Sequence, residues 1–184
     1  MQNSEYADEH WRRLNLPHDW AIEGDFSPSN PSGASGGALP GGIGWYRKHF
    51  SLSPDEKYDR FTITFDGVYM NSTVYINGHK LGTRPYGYST FEYDLTPYIY
   101  KKGDNVIAVK VDNSDQPNSR WYSGCGIYRH VWLTKTLKEA YIPQWGQYVA
   151  TTPKGDVRVK VDFHAEGSRM KLSIRNTIYD AAGK

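Results

Sequence analysis

With 184 residues the chain is long enough to bury a sizeable core, as one large β domain or as one domain plus part of another. It carries 22 Lys and Arg against 20 Asp and Glu, a net charge of +2, which excludes the electrostatic footprint of a nucleic-acid binder or of a protein held on an anionic membrane. Cys125 is the only cysteine, so no internal disulfide can form and redox chemistry does not reveal the compartment; no apolar stretch approaches the ~20 residues of a membrane-spanning helix.

Met1-Gln2-Asn3-Ser4-Glu5 lacks the basic start and apolar run of a signal peptide. The stretch Glu5 to His10 reads as the one short helical segment, and Trp11 to Leu16 as an upstream strand. Between Gly24 and Gly42 the chain is rich in Ser, Gly, Pro and Asn, with almost nothing to anchor a core. Because the strands that complete the fold lie downstream, this segment is predicted to be a long surface loop inside one domain and not a linker.

Strand signals then recur. Tyr46, Lys48, Phe50 and Leu52 alternate with Trp45, Arg47, His49 and Ser51 until Ser53-Pro54-Asp55 breaks the run. Phe61, Ile63 and Phe65 alternate with Thr62 and Thr64 and close at Asp66-Gly67. Val74 and Ile76 lead into Asn77-Gly78, whose tolerance of positive φ marks a type I′ hairpin, with Lys80-Leu81-Gly82 returning. Phe91, Tyr93 and Leu95 form a strand stopped by Thr96-Pro97, and after Gly103 the residues Ile107, Val109 and Val111 are the expected core face of another. Many short antiparallel strands with non-local partners imply an all-β chain built as a β-sandwich or jelly roll.

Asp112 to Pro117 is a polar run leading into Asn118-Ser119-Arg120-Trp121-Tyr122-Ser123-Gly124-Cys125-Gly126-Ile127-Tyr128-Arg129, and Val131-Trp132-Leu133 leaves it as a strand. Two readings are open: a ligand-facing or partner-facing loop, or a long turn whose aromatics cap a core. Cys125 in this loop reads as a small buried filler rather than a nucleophile. After Leu133 the character changes. Val157, Val159, Val161 and Phe163 alternate with Arg158, Lys160 and Asp162, and Met170, Leu172 and Ile174 are expected on the next strand. Two such strands cannot bury a core, so the tail is expected to pair with the tail of a second chain or to dock rather than to stay disordered.

The loop, together with Leu16-Pro17-His18-Asp19-Trp20, Pro40-Gly41-Gly42-Ile43-Gly44-Trp45-Tyr46-Arg47-Lys48 and Tyr75-Ile76-Asn77-Gly78, resembles the amino-terminal domain of bacterial β-galactosidases of glycoside hydrolase family 2, from about Trp11 to Leu133. The resemblance implies a jelly roll of the galactose-binding kind over 1–137 and the opening of an immunoglobulin-like sandwich over 138–184, truncated because a complete domain of that type needs about 100 residues. It also implies that the chain is a piece of a longer protein, with periplasmic or extracellular placement favoured over cytoplasmic. The remaining immunoglobulin-like and (β/α)8-barrel domains of the same polypeptide are its expected partners.

In the family both catalytic glutamates belong to that later barrel, so no catalytic residue, cofactor or metal site is expected here. The loop carboxylates Asp19 with Glu23, and Asp112 with Asp115, are expected to bond to backbone amides or water instead of flanking a scissile bond. The His residues offer no metal-ligand spacing. Some relatives place an acidic residue just ahead of the loop tryptophan, where this chain has Asn118-Ser119-Arg120. The substrate-facing candidates in the full-length enzyme are therefore Asn118, Arg120, Trp121 and Asp19. Arg120 offers a fork of donors to sugar hydroxyls or to a barrel carboxylate. The opposing reading makes Arg120 a structural ion pair, Trp121 a core filler, and Asp19 and Trp20 a cap and a plug. Three functions stay open: a scaffold that lends a loop to a β-galactosidase pocket, an autonomous carbohydrate-binding module, or the same scaffold in a β-glucuronidase or β-mannosidase.

Overall fold

The computed structural model describes residues 1–167 and 171–183 and divides into two compact units, Met1–Thr136 and Leu137–Lys184. The first holds strands β1 (Gly42–Ser51), β2 (Arg60–Phe65), β3 (Ser72–Ile76), β4 (His79–Arg84), β5 (Phe91–Asp94), β6 (Asp104–Asn113) and β7 (Val131–Thr136). They form a four-stranded sheet ordered β1-β6-β3-β4 and a three-stranded sheet ordered β5-β2-β7. Every pairing is antiparallel, including the full-length register of β1 on β6 from Gly42↔Asn113 to Ser51↔Asp104.

Period-two alternation decides which faces meet. Phe61, Ile63 and Phe65 of β2, with Phe91 and Leu95, pack against Val74, Ile76, Ile107, Val109 and Val111 of the other sheet in one cluster. The Asn77-Gly78 turn has φ of 49° and 84° at its two central residues, as a type I′ hairpin requires.

The outer face of the four-stranded sheet is not the open polar surface that alternation alone predicts. Ala108, register partner of both Arg47 and Tyr75, is fully buried there. The reason is Arg47, whose guanidinium is almost wholly enclosed. Its Nε donates to Asp8 Oδ2 at 2.6 Å, Nη1 to the carbonyls of Met1 and Asn3, and Nη2 to those of Ser4 and Tyr6, so all five donors are used. Those contacts strap residues 1–8 across the sheet. They also explain why no helix forms over Glu5 to His10: the carbonyls that would accept helical i+4 amides are claimed by a side chain 40 or so residues away.

Two more expectations are corrected. Trp11 to Leu16 is not a strand; instead Arg12 reaches forward to Glu23 at 2.7 Å and to His18 at 2.9 Å. The loop from Gly24 to Gly42 does carry anchors. The 3₁₀ turn Ala21–Glu23 leads into it, and a second, Ala34–Gly36, lies within it. The buried Ser32 hydroxyl donates to the Leu39 carbonyl at 2.6 Å, and Leu39 joins Ala21 and Cys125 in a small second cluster against Trp20.

The second unit contains β8 (Ala140–Tyr141), β9 (Gln147–Thr151), β10 (Val157–Val161) and β11 (His164–Ala165) as two two-stranded antiparallel sheets, β9-β10 and β8-β11. The strand expected through Met170, Leu172 and Ile174 is not found. Met170 lies outside the described residues, while Leu172 and Ile174 are exposed and belong to no strand. Val149, Val157 and Val159 of the β9-β10 ribbon are also exposed, as follows when no second sheet covers a two-stranded face.

Candidate functional site

The register gathers chemically loaded loops at one end of the sandwich. Gly42 faces Asn113, Ser72 faces Arg84, and Phe65 faces both Phe91 and Val131, so residues 66–71, 85–90 and 114–130 all emerge there. The isolated bridge Tyr69↔Gly126 ties two of these connections together.

Asn113, at the end of β6 and 2% exposed, is the hub of the long loop. Its amide donates to the Gly124 carbonyl at 3.1 Å, and its Oδ1 accepts from Gln116 at 2.8 Å and from Asn118 Nδ2 at 2.7 Å. Asn118 Oδ1 in turn accepts the Tyr69 hydroxyl at 3.1 Å. The Asn118 side chain is thus spent inside the loop's own frame.

Asp19 has the same fate. Its Oδ1 accepts the backbone amides of Ala21 and Cys125, each at 2.9 Å, and its Oδ2 accepts a short hydrogen bond from the Tyr122 hydroxyl. Burial, reinforced by that carboxylate, pushes the Tyr122 phenol up. Backbone bonds His18 N to Ile127 O and Trp20 N to Cys125 O continue the attachment. The two glycines of the loop are where they must be. A Cβ on Gly124 (φ 80°) would meet Asp19 Oδ2 at 2.9 Å, and one on Gly126 (φ 125°) would meet the His18 carbonyl at 2.8 Å. Trp20 is a plug, packed against both core clusters. Cys125 is buried, and burial pushes its thiol up to about 11, so at neutral pH it is a protonated filler.

Arg120 and Trp121 behave differently. Arg120 is exposed and has no hydrogen-bond or ion-pair partner among the described residues. Trp121 is 61% exposed, its indole N–H donating to the Tyr88 hydroxyl at 3.2 Å. Tyr88 packs on Tyr69 with ring centroids 5.3 Å apart and meets Tyr86 edge-on at 5.6 Å. Tyr86 and Tyr88 are also exposed, and neither was singled out from sequence. The Tyr86-Gly87-Tyr88 spelling was the available signal: the Tyr69 ring occupies the space of a Gly87 side chain, and Tyr128 donates to the Gly87 carbonyl at 2.8 Å.

Neither Glu23 nor Asp112 is tuned as a general acid. The Arg12 guanidinium holds Glu23 below the usual carboxylate range, and Ser114 with Lys110 does the same for Asp112, whereas a proton donor at neutral pH needs a raised value. Among the described residues no group of three or more His, Cys, Asp or Glu is arranged to hold a metal ion, and no helix is long and apolar enough to cross a membrane. A shallow polar concavity between Asn3–Tyr6 and Asn77–Gly78 lies at the opposite end of the sandwich.

Residues 38–137 match the family model described as glycosyl hydrolases family 2, sugar binding domain. The chain is 53% identical, over 97% of its length, to the β-galactosidase BoGH2A of Bacteroides ovatus, and 42% identical, over 96%, to a putative β-glucuronidase of Formosa agariphila. It covers 22% and 17% of those proteins, about a fifth of their length. Among solved structures, a β-glycosidase from Bacteroides vulgatus superposes with a TM-score of 0.84 at 42% identity, over 91% of this chain and 22% of that one.

Proposed function

The chain belongs to glycoside hydrolase family 2, whose amino-terminal sugar-binding domain it carries, and from that premise we propose that it is the non-catalytic amino-terminal part of an exo-acting, retaining β-galactosidase, buttressing a catalytic barrel and lending a loop to its pocket. The observation that carries this reading is the division of labour within the loop. Asp19, Asn113 and Asn118 spend their polar atoms pinning its base, while Arg120 and Trp121 are held out with open donors and an open ring. A loop made only to cap a core would have no reason to present both. Arg120 is the substrate-side or barrel-side contact, Trp121 packs beside it, and Asp19 and Asn118 are positioning residues. The second unit is the start of the immunoglobulin-like domain that links sandwich to barrel.

The 184-residue chain alone should not hydrolyse a chromogenic galactoside, since the resemblance assigns both catalytic glutamates to the barrel and the loop carboxylates Asp19, Glu23 and Asp112 are already held by amides, Arg12 and Lys110. In the full-length enzyme Arg120→Ala should lower kcat/KM about ten- to a hundred-fold, the cost of one charged hydrogen bond. Unchanged kinetics in a folded variant would make Arg120 a bystander. The relative named a putative β-glucuronidase supports a second reading, the same scaffold serving that enzyme. Comparing kcat/KM of the full-length protein on an aryl β-galactoside and an aryl β-glucuronide separates the two, and the higher identity to the β-galactosidase favours the first.

A further inference from the structure

The sandwich end that carries Arg120 also carries more aromatic surface than a loop anchored by side-chain hydrogen bonds needs. Tyr86, Tyr88 and Trp121 come from two different connections, yet each is fixed by another ring: Trp121 by its hydrogen bond to Tyr88, Tyr86 by its edge contact with Tyr88, and Tyr88 by packing on Tyr69. Tyr69 is 5% exposed and bonded to Asn118, so the assembly stands on the core. Tyr86 and Trp121 nonetheless remain 62% and 61% exposed. Rings held in place while much of their surface stays in water give a surface whose ordering entropy has already been spent in folding.

The chemistry of such a surface is selective. A pyranose has one apolar C–H face and a rim of hydroxyls. It therefore fits a flat ring with hydroxyl and indole N–H groups at its border and an unpaired guanidinium on the preceding residue. An apolar protein surface would instead leave the phenolic hydroxyls to be desolvated without partners, which costs free energy. In an exo-acting enzyme the terminal sugar is enclosed by the pocket, so a surface outside that pocket meets only what is attached to it, the leaving group.

We propose that Tyr86, Tyr88 and Trp121 form a stacking shelf for the leaving-group sugars of a neutral, β-linked oligosaccharide. This deepens the pocket-loop reading and rests on it. It adds residues from the β4–β5 connection to the site and assigns the substrate class: chains of two or more sugars rather than small galactosides. The shelf gives the enzyme a reason to prefer a long leaving group that the pocket itself cannot sense.

The test has two arms. In the first, β-1,4-galactotetraose and galactose are titrated into the 184-residue chain by calorimetry. The tetraose should bind saturably and galactose should not, with binding weakened about ten-fold in Tyr86→Ala and in Trp121→Ala and largely retained in Trp121→Phe; circular dichroism checks that each variant folds. In the second, the full-length enzyme is assayed on the tetraose and on β-galactosyl fluoride, whose leaving group is too small to reach the shelf. The ratio of kcat/KM for the tetraose to that for the fluoride should fall about ten-fold in Tyr86→Ala. Tetraose binding that ignores both substitutions, or a ratio that does not move, overturns the shelf and leaves the pocket-loop reading standing. Failure of the unaltered full-length protein to hydrolyse the fluoride overturns that reading, whatever the first arm shows.

Discussion

The two ends of the sandwich are both organised by buried asparagines, yet the two networks serve different connections. At the turn end, Asn77 donates to the Tyr98 carbonyl at 2.8 Å and to Asn105 Oδ1 at 2.9 Å while accepting the Val106 amide, and Asn105 exchanges two hydrogen bonds with the Tyr100 backbone. Every group points inward, and the neighbouring turn is a two-residue hairpin. At the loop end, Asn113 plays the same hub, but the chain it organises is long and leaves Arg120, Trp121, Tyr86 and Tyr88 in solvent. The contrast teaches that polar networks serve two purposes in one fold. The first closes a sheet end; the second stiffens a loop so that its remaining side chains can be used.

The largest effect should come from breaking the closing network. Asn105 is fully buried, and Asn105→Leu removes the partners of the Tyr100 amide and carbonyl and one of the two acceptors of the Asn77 side-chain amide, at about 1–3 kcal/mol for each group left unsatisfied. Urea unfolding should show a loss of about 4 kcal/mol; a loss below ~1 kcal/mol would mean that the two ends do not differ as described. A smaller loss is expected from the stiffening network. Asp19→Ala removes the acceptor of the Ala21 and Cys125 amides and of the Tyr122 hydroxyl, at a site already partly open to water, and should cost about 2 kcal/mol. Its signature is local: hydrogen exchange at the Cys125 amide should accelerate strongly while that at Val106 stays as it was. Equal acceleration at both would erase the distinction between closing and stiffening.

The smallest effect concerns the strap over the four-stranded sheet, on the turn-end half. His49 Nδ1 lies 2.5 Å from Asp104 Oδ2 and its Nε2 lies 3.0 Å from Asp8 Oδ2, and the Asp104 and Asp8 carboxylates raise its pKa above the ordinary 6.5. A raised histidine contributes stability that is fully present below its unfolded value and is lost as pH rises through the folded one. Asp8 runs the other way. Arg47, then His49, hold it below 3.8, so its contribution is present above that value and fades as pH falls further. The strap should therefore be tightest between about pH 4 and 6.5 and loosen at higher pH, with Arg47 still retaining it. Hydrogen exchange of residues 2–8, corrected for intrinsic rates, should show protection falling from pH 6 to pH 8 in the wild type and flat in His49→Ala. The same slope in both would remove His49 from the latch.

Much of the sandwich was legible because its signals are local. Period-two runs such as Phe61, Ile63 and Phe65, and the Asn77-Gly78 turn, act within a few residues of themselves. The strap was not legible. Five carbonyl and carboxylate contacts converging on Arg47 leave no pattern in the segment that supplies them, and the acidic composition of Glu5 to His10 pointed to a helix instead. In the loop, Arg120 and Trp121 could be picked out by residue type. The roles of Asp19 and Asn118 could not, because a carboxylate or amide that binds its own backbone has the same spelling as one that binds a ligand. Tyr86 and Tyr88 escaped notice because their partnership with Trp121 joins two connections about 33 residues apart.

Cys125 gives the loop a clock. It is the only thiol in 184 residues, sits beside the amide that Asp19 holds, and lies behind Asn113 and the Pro40 carbonyl. An alkylating reagent can reach it only after the loop has lifted, so the labelling rate reads the frequency of that opening without any engineered probe. A ligand that settles on the loop should slow the clock, whatever that ligand turns out to be.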